Sequence, residues 1–298
     1  MIKKHKEGIF MEHGKTIELF LVNGTADSLI EAELSNWSGK ALRIPRNEVP
    51  SCKNETLSQP GVYFLFCKDD DNTDYVYIGE AEKVKDRLLQ HLRNFENGSE
   101  KYYWTTAVVF TGRDLNKAHI RYLEHKLAKL ASESGRYKLI TKNTYKNTVL
   151  KDSQIAAMEE FIDNIKILIN ALGYKVLEPL VDNSSTNSSK ENKILSIETK
   201  ETSAKGVVTN EGFVLLKGAK IKKEISKSLS SGVRKLREKY IAGGKVVSEI
   251  TTEDILFSSS SAAAAFVSGS SASGPAMWKD KDGVSLKELE ARRLQEEN

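Results

Sequence analysis

Arg87 and His91 lie four residues apart beside an apolar stripe of Val84, Leu88, Leu92 and Phe95. On a helix that spacing stacks both side chains on one side, at the edge of a core. A guanidinium placed there can donate paired hydrogen bonds to an anion, and an imidazole can accept or pass a proton near neutral pH. A salt-bridged or solvated helix face would use the same residue types. Further along, Glu124 falls within about 60° of Leu127 and Ala131, on the apolar face they form with Ile120 and Leu123. A carboxylate on such a face requires a partner, because burying it alone is costly. That partner is either a basic side chain or a hard divalent cation, which takes one or two carboxylates and completes its shell with water and phosphate oxygens. Tyr63 and Tyr77 complete the set. They stand near Gly61 and Gly79, where the missing Cβ lets another backbone or a ligand approach closely.

These side chains need elements to hold them. Residues 61–67 read GVYFLFC, a continuous apolar run expected for a strand covered on both faces. A polar turn at 69–74 and the run YVYIG at 75–79 predict a returning strand, so the two tyrosines fall on neighbouring strands of a hairpin. A helix is predicted over 83–95, a strand over 102–110 and a second helix over 115–132 with Asp114 as its cap. A third helix covers 153–172 and stops at Gly173. The acidic turn lacks the spaced ligands of a calcium loop and reads as a solvated hairpin tip. His119 and His125 lack the His-Glu-x-x-His order of a zinc helix and read as surface residues.

Taken in order, Gly61-Val-Tyr63, Tyr77-Ile-Gly79, Arg87, His91 and Glu124 resemble the GIY-YIG nuclease family over roughly residues 58–150. The arginine ten residues after the tyrosine of Tyr77-Ile-Gly79 is similar to that family's pattern, and Val62 is a conservative departure from its isoleucine. The resemblance implies an α+β domain with a small antiparallel three-stranded sheet flanked by helices. It also implies a Mg²⁺- or Mn²⁺-dependent endonuclease acting on nucleic acid, with DNA the expected substrate. By the same resemblance Glu124 is the metal ligand, Arg87 steadies charge on the scissile phosphate, and Tyr63 is a general base or water-orienting group. Tyr77 and His91 support them. The family places an Asn after the glutamate helix, for which Asn143 is the candidate and Asn147 the alternative. A phenol has a pKa near ~10, so Tyr63 would need nearby positive charge to act as a base. The fold can also persist without activity, as a nucleic-acid-binding protein.

The flanks divide the chain further. Residues 1–57 predict a small β-rich unit, with strands over 15–22 and 41–44, that covers one edge of the sheet. Residues 58–180 form the domain described above with its trailing helix. A flexible linker is expected over 181–210, because 182–190 contain no apolar residue to join a core. Residues 211–298 predict a separate α+β domain, in which 213–216 is strand-like, 221–240 is compatible with a basic helix, and Ser285-Leu-Lys-Glu288 opens a final helix as a capping box. Residues 211–290 resemble a domain of unknown function that recurs behind some GIY-YIG proteins. Between 217 and 245 ten Lys or Arg face only Glu224 and Glu238. Lys220, Lys222, Lys223, Lys227, Arg234, Lys235 and Arg237 are therefore candidates for contacts to nucleic-acid phosphates.

Composition sets the outer limits. The chain has 298 residues, a net charge of +4, 39% hydrophobic and 29% charged residues, an ordinary globular mix rather than a disordered one. Its longest strictly apolar run, 262–267, falls far short of the ~20 residues of a membrane helix. The first residues lack the apolar core of a signal peptide, so a cytoplasmic location without membrane contact is expected. The two cysteines, Cys52 and Cys67, make neither a disulfide scaffold nor a zinc pair. Oligomeric state is not legible at this level.

Overall fold

Two eight-residue strands, β4 (Gly61–Lys68) and β5 (Asp74–Ala81), form an antiparallel hairpin in the first sheet. The computed structural model describes residues 14–70, 73–141, 148–181 and 194–296. The chain divides into two compact units, Met1–Pro179 and Leu180–Asn298. Both mix helix and sheet, and among the described residues no helix is long and apolar enough to cross a membrane.

The first sheet is wider than the three strands expected. Strands β1 (Ile17–Leu21), β2 (Ile30–Leu34), β3 (Gly39–Pro45), β6 (Trp104–Gly112) and β7 (Lys138–Leu139) join the hairpin in the order β1-β2-β3-β6-β4-β5-β7. The reason lies in β6. In a three-stranded sheet it would be an open edge carrying an apolar run, and β3 pairs with it from Gly39↔Gly112 to Pro45↔Thr106. The N-terminal β-rich region is thus part of this sheet. All pairings in the sheet are antiparallel except the short one between β5 and β7.

Strand alternation splits the core of this unit in two. Val62, Phe64, Phe66, Val76 and Ile78 face α2 (Lys117–Ser134) and α3 (Asp152–Ala171). Tyr63, Leu65, Leu42, Ile44 and Val109 pack on the other side with Val84 and Leu88 of α1 (Val84–Glu96). With one layer on each side, β4 is buried from Gly61 to Cys67, as the continuous apolar run predicts. The α2 cap is Asn116 rather than Asp114, its side chain accepting from the amides of Ala118 and His119. His119 and His125 are half-buried, not surface residues, and His119 contacts the Asp114 carbonyl and Gln154.

The second unit contains a four-stranded antiparallel sheet, β13-β10-β9-β8, built from β8 (Leu195–Glu198), β9 (Ser203–Thr209), β10 (Gly212–Leu215) and β13 (Ile255–Phe257). Strands β8 and β9 fall within the expected linker. Their alternation of buried Leu195, Ile197, Ala204 and Gly206 explains why they join a core. The hairpin β11 (Val246–Val247) and β12 (Ile250–Thr251) follows α4 (Ser231–Ala242). Helix α4 is shorter than the predicted 221–240 because the serine hydroxyls before it compete for backbone amides: Ser226 accepts from Ser228 N and Ser230 caps Val233 N. Helices α5 (Ser260–Ser268), α6 (Gly274–Met277) and α7 (Leu286–Glu296) complete the unit around Phe213, Phe266 and Trp278. The predicted capping box is present, with Glu288 accepting from Ser285 N at 2.9 Å and Ser285 Oγ from Glu288 N at 3.3 Å.

Strand packing is close at Gly61, where a Cβ would collide with the Phe110 carbonyl oxygen of the neighbouring strand. That atom is backbone and cannot swing away. Gly61→Ala is expected to destabilise the protein by about 1–3 kcal/mol, read as a lower urea midpoint at unchanged m-value.

Candidate functional site

Register brings the tyrosines together. Tyr63 lies opposite Gly79 and Leu65 opposite Tyr77, so the two tyrosines share a sheet face on a diagonal. Their rings stack with centroids 6.1 Å apart. Gly79 makes this possible, because a Cβ there would sit 2.5 Å from the Tyr63 hydroxyl and 2.8 Å from the Tyr77 ring. What approaches closely at this glycine is the chain's own phenol.

The next helix closes over that phenol. His91 on α1 is 0% exposed, and its ring stands edge-on to Tyr77 and Tyr63 with centroids 5.0 and 5.6 Å away. The Tyr63 hydroxyl contacts His91 Nε2 at 2.9 Å, and Arg87 Nε donates to the same oxygen at 3.2 Å. One turn of α1 therefore presents both groups to one hydroxyl, as the spacing predicts. The second imidazole nitrogen, Nδ1, lies 2.8 and 2.9 Å from the two carboxylate oxygens of Glu100. Arg87 is half-buried and also lines an open groove with Ala81, Glu82, Lys83, Asp86, Gln90 and Arg93.

The electrostatics follow from burial. Burial pushes the Tyr63 phenol well above the ordinary tyrosine range; Tyr77 pushes the same way, and the Arg87 charge offsets only part of the rise. Burial also holds the His91 imidazole below its ordinary value, with Arg87 and Arg46 pushing the same way and Glu100 opposing them. At neutral pH Tyr63 is thus a neutral phenol beside a neutral imidazole.

Glu124 stands outside this set of hydrogen bonds. It is buried on α2, and alternation along β5 sends Glu80 to that same face and Tyr77 to the opposite one. Lys117 Nζ donates to both Glu80 oxygens at 2.9 Å. Burial first and the Glu80 charge second raise the Glu124 carboxyl to about 7, while Lys117, Arg121 and Arg87 favour its charged form. Its Oε2 is buried without a hydrogen-bond partner. Among the described residues there is no group of three or more His, Cys, Asp or Glu side chains able to hold a metal by themselves. A hard cation at Glu124 would fit an unpaired carboxylate oxygen and would draw the rest of its shell from water and substrate.

Tyr63, Tyr77, Arg87 and His91 thus form one cluster, with Glu124 on the opposite sheet face yet within reach of the Arg87 charge. Asn143 and Asn147 lie outside the described residues. The sequence reading missed Glu100 and Glu80. Glu80 directly follows the Tyr77-Ile-Gly79 run, which is a usable signal, whereas Glu100 lies beyond the end of α1, where helical spacing no longer applies.

In the second unit Lys220, Lys223, Lys227 and Lys235 are exposed. Lys222 is paired with Glu201 at 2.7 Å, and Arg234 donates to the Ser226 carbonyl at 3.2 Å. Arg237 departs from the expectation of a phosphate contact. It is 4% exposed and its guanidinium donates to the carbonyls of Phe266 and Lys222, because its position on α4 points it into the core.

Residues 195–290, about a third of the chain, match a domain of unknown function, DUF4357. No curated protein and no solved structure matches the chain.

A carboxyl whose folded value is raised to about 7 from an ordinary value near ~4.3 contributes stability that is lost as pH rises through that interval. Glu124→Gln removes the charge. In EDTA, the stability of this variant relative to wild type is expected to grow by on the order of 2 kcal/mol between pH 4 and pH 8, measured by urea unfolding.

Proposed function

We propose that the chain is a metal-dependent endonuclease of GIY-YIG type, hydrolysing phosphodiester bonds of nucleic acid, DNA foremost, with Mg²⁺ or Mn²⁺. The observation that carries this reading is the Tyr63–His91–Arg87 cluster seated on Gly79, with Glu124 buried on the other sheet face within reach of the Arg87 charge and one oxygen unpartnered. Phosphodiester hydrolysis needs an oriented water and stabilisation of extra negative charge on the phosphoryl oxygens. Glu124 would hold the divalent cation, which supplies Lewis-acid stabilisation of that charge when bound.

The chain's own groups supply the remainder. Arg87 lines the open groove while its Nε is held by Tyr63, so its guanidinium is oriented before a phosphate arrives. A planar fork of donors matches phosphate oxygens in a way that a lysine does not. Tyr63, kept neutral by burial, acts as an orienting group rather than as a ready-made phenolate base. Tyr77 and His91 enclose it. The exposed Lys220, Lys223, Lys227 and Lys235 of the second unit would add sequence-independent phosphate contacts.

A second reading, a catalytically inactive nucleic-acid-binding protein, is favoured by those lysines alone. The two readings separate on plasmid and branched DNA with Mg²⁺ or Mn²⁺. The nuclease reading expects cutting by wild type, a loss of about 100-fold or more in Glu124→Gln and Arg87→Ala, and nearly unchanged DNA binding in Glu124→Gln. Tight, salt-sensitive binding with no cutting of any DNA or RNA form by wild type would establish the inactive protein instead.

A further inference from the structure

The Tyr63, His91 and Arg87 contacts have a direction, and that direction ends on a residue not yet given a task. Arginine has donors and no acceptor, so the Tyr63 oxygen accepts from Arg87 Nε. At the other end, a carboxylate accepts, so His91 Nδ1 donates to Glu100. A neutral imidazole carries one hydrogen. With that hydrogen on Nδ1, Nε2 is bare and can only accept, and the Tyr63 hydroxyl donates to it. Every group between Arg87 and Glu100 therefore gives one hydrogen and receives one, and reversing any link leaves two donors or two acceptors face to face.

Glu100 is itself held. Asn94 Nδ2 donates to its Oε1 at 3.0 Å, and its backbone amide donates to the Asn94 carbonyl at 3.0 Å. Its side chain is 14% exposed. The groups facing His91 are Glu100, Tyr63 from β4, Tyr77 from β5, Arg87 from its own helix, Tyr102 at 3.5 Å from Nδ1, and the Arg46 charge. Among them Glu100 is the acceptor that fixes the Nδ1–H tautomer.

We propose that Glu100 is a positioning residue of this site: it sets the His91 tautomer, which orients the Tyr63 hydroxyl, which in turn holds Arg87 Nε at the groove. The inference about orientation rests on these contacts and on a neutral His91, and its consequence for cutting rests on the nuclease reading above. Without Glu100 the hydrogen is free to move to Nε2. Nε2 then donates to Tyr63, the phenol hydrogen loses its acceptor on His91, and the phenol oxygen is shared between Nε2 and Arg87 Nε, which loosens its hold on the guanidinium.

The test has two arms on the full-length chain. The first is ¹⁵N NMR of histidine-labelled protein at pH 7.5 without metal. Wild type is expected to show His91 protonated at Nδ1, Glu100→Ala to move that hydrogen to Nε2, and Glu100→Gln to retain Nδ1–H through its amide oxygen. The second is cleavage with Mg²⁺. Glu100→Ala is expected to lose about 10- to 100-fold in kcat at nearly unchanged KM, with Glu100→Gln recovering most of it. An unchanged His91 tautomer in Glu100→Ala overturns the proposal. So does wild-type kcat in that variant when wild type cuts. Should Glu100→Ala not fold, Glu100→Asp, which keeps the carboxylate, is expected to hold the Nδ1–H tautomer, and Nε2–H in that variant also overturns the proposal. If wild type does not cut, the nuclease reading fails while the NMR arm still decides the role of Glu100.

Discussion

A phenol buried in the middle of a sheet face must place its hydrogen and satisfy its oxygen, and Tyr63 does both through side chains of a single helix. Leaving either unmade would cost on the order of 1–3 kcal/mol. That demand reaches outward in both directions. It requires glycine at position 79 for the ring to lie across β5, and the phase of α1 that turns Arg87 and His91 toward the sheet. It also requires a carboxylate beyond the end of α1 to occupy the far nitrogen of His91. A polar network of this kind is tolerated inside an apolar layer because each member is satisfied.

The layer beneath serves the same end. Leu65, Val109, Leu88 and Trp104 enclose the tyrosines, and β3 shields β6 from solvent and from foreign strands. The seven-stranded sheet is therefore a rigid platform on which small side-chain displacements are resisted from both faces. Glu124 is placed by a different rule. It enters the other layer on α2, next to Glu80, where desolvation and a like charge raise its proton affinity. The two faces of one hairpin thus carry groups of opposite character, a donor-rich cluster ending in Arg87 and an electron-rich carboxylate. Under the proposed function both characters are needed at one phosphate.

In the second unit, Arg237 shows how charge in a sequence can mislead. Lys235 and Lys239 on α4 are exposed, but the Arg237 guanidinium closes onto the carbonyls of Lys222 and Phe266 and pins the segment before the helix to the core. It stabilises the unit that presents the exposed lysines rather than joining them.

Much was legible before any coordinates. The β4–β5 hairpin and the three helices after it follow from periodicity and turn residues, because these are local properties of the chain, and the ordered set Tyr63, Tyr77, Arg87, His91 and Glu124 was picked out by its resemblance to a family pattern. The closing capping box is likewise local, and it is present as read. Other features depend on who lies next to whom. That β3 pairs with β6, that β8 and β9 belong to a core, that Asn116 rather than Asp114 caps α2, and that Arg237 is buried were decided by packing. Glu100 is the clearest case. Nothing in its neighbourhood marks it, since it follows the helix in a loop with no period, and only the folded chain brings its carboxylate to the free nitrogen of His91. Residue types and local spacing determined which chemistry was available; long-range contacts, which no local pattern encodes, decided the hydrogen-bond directions that would put it to use.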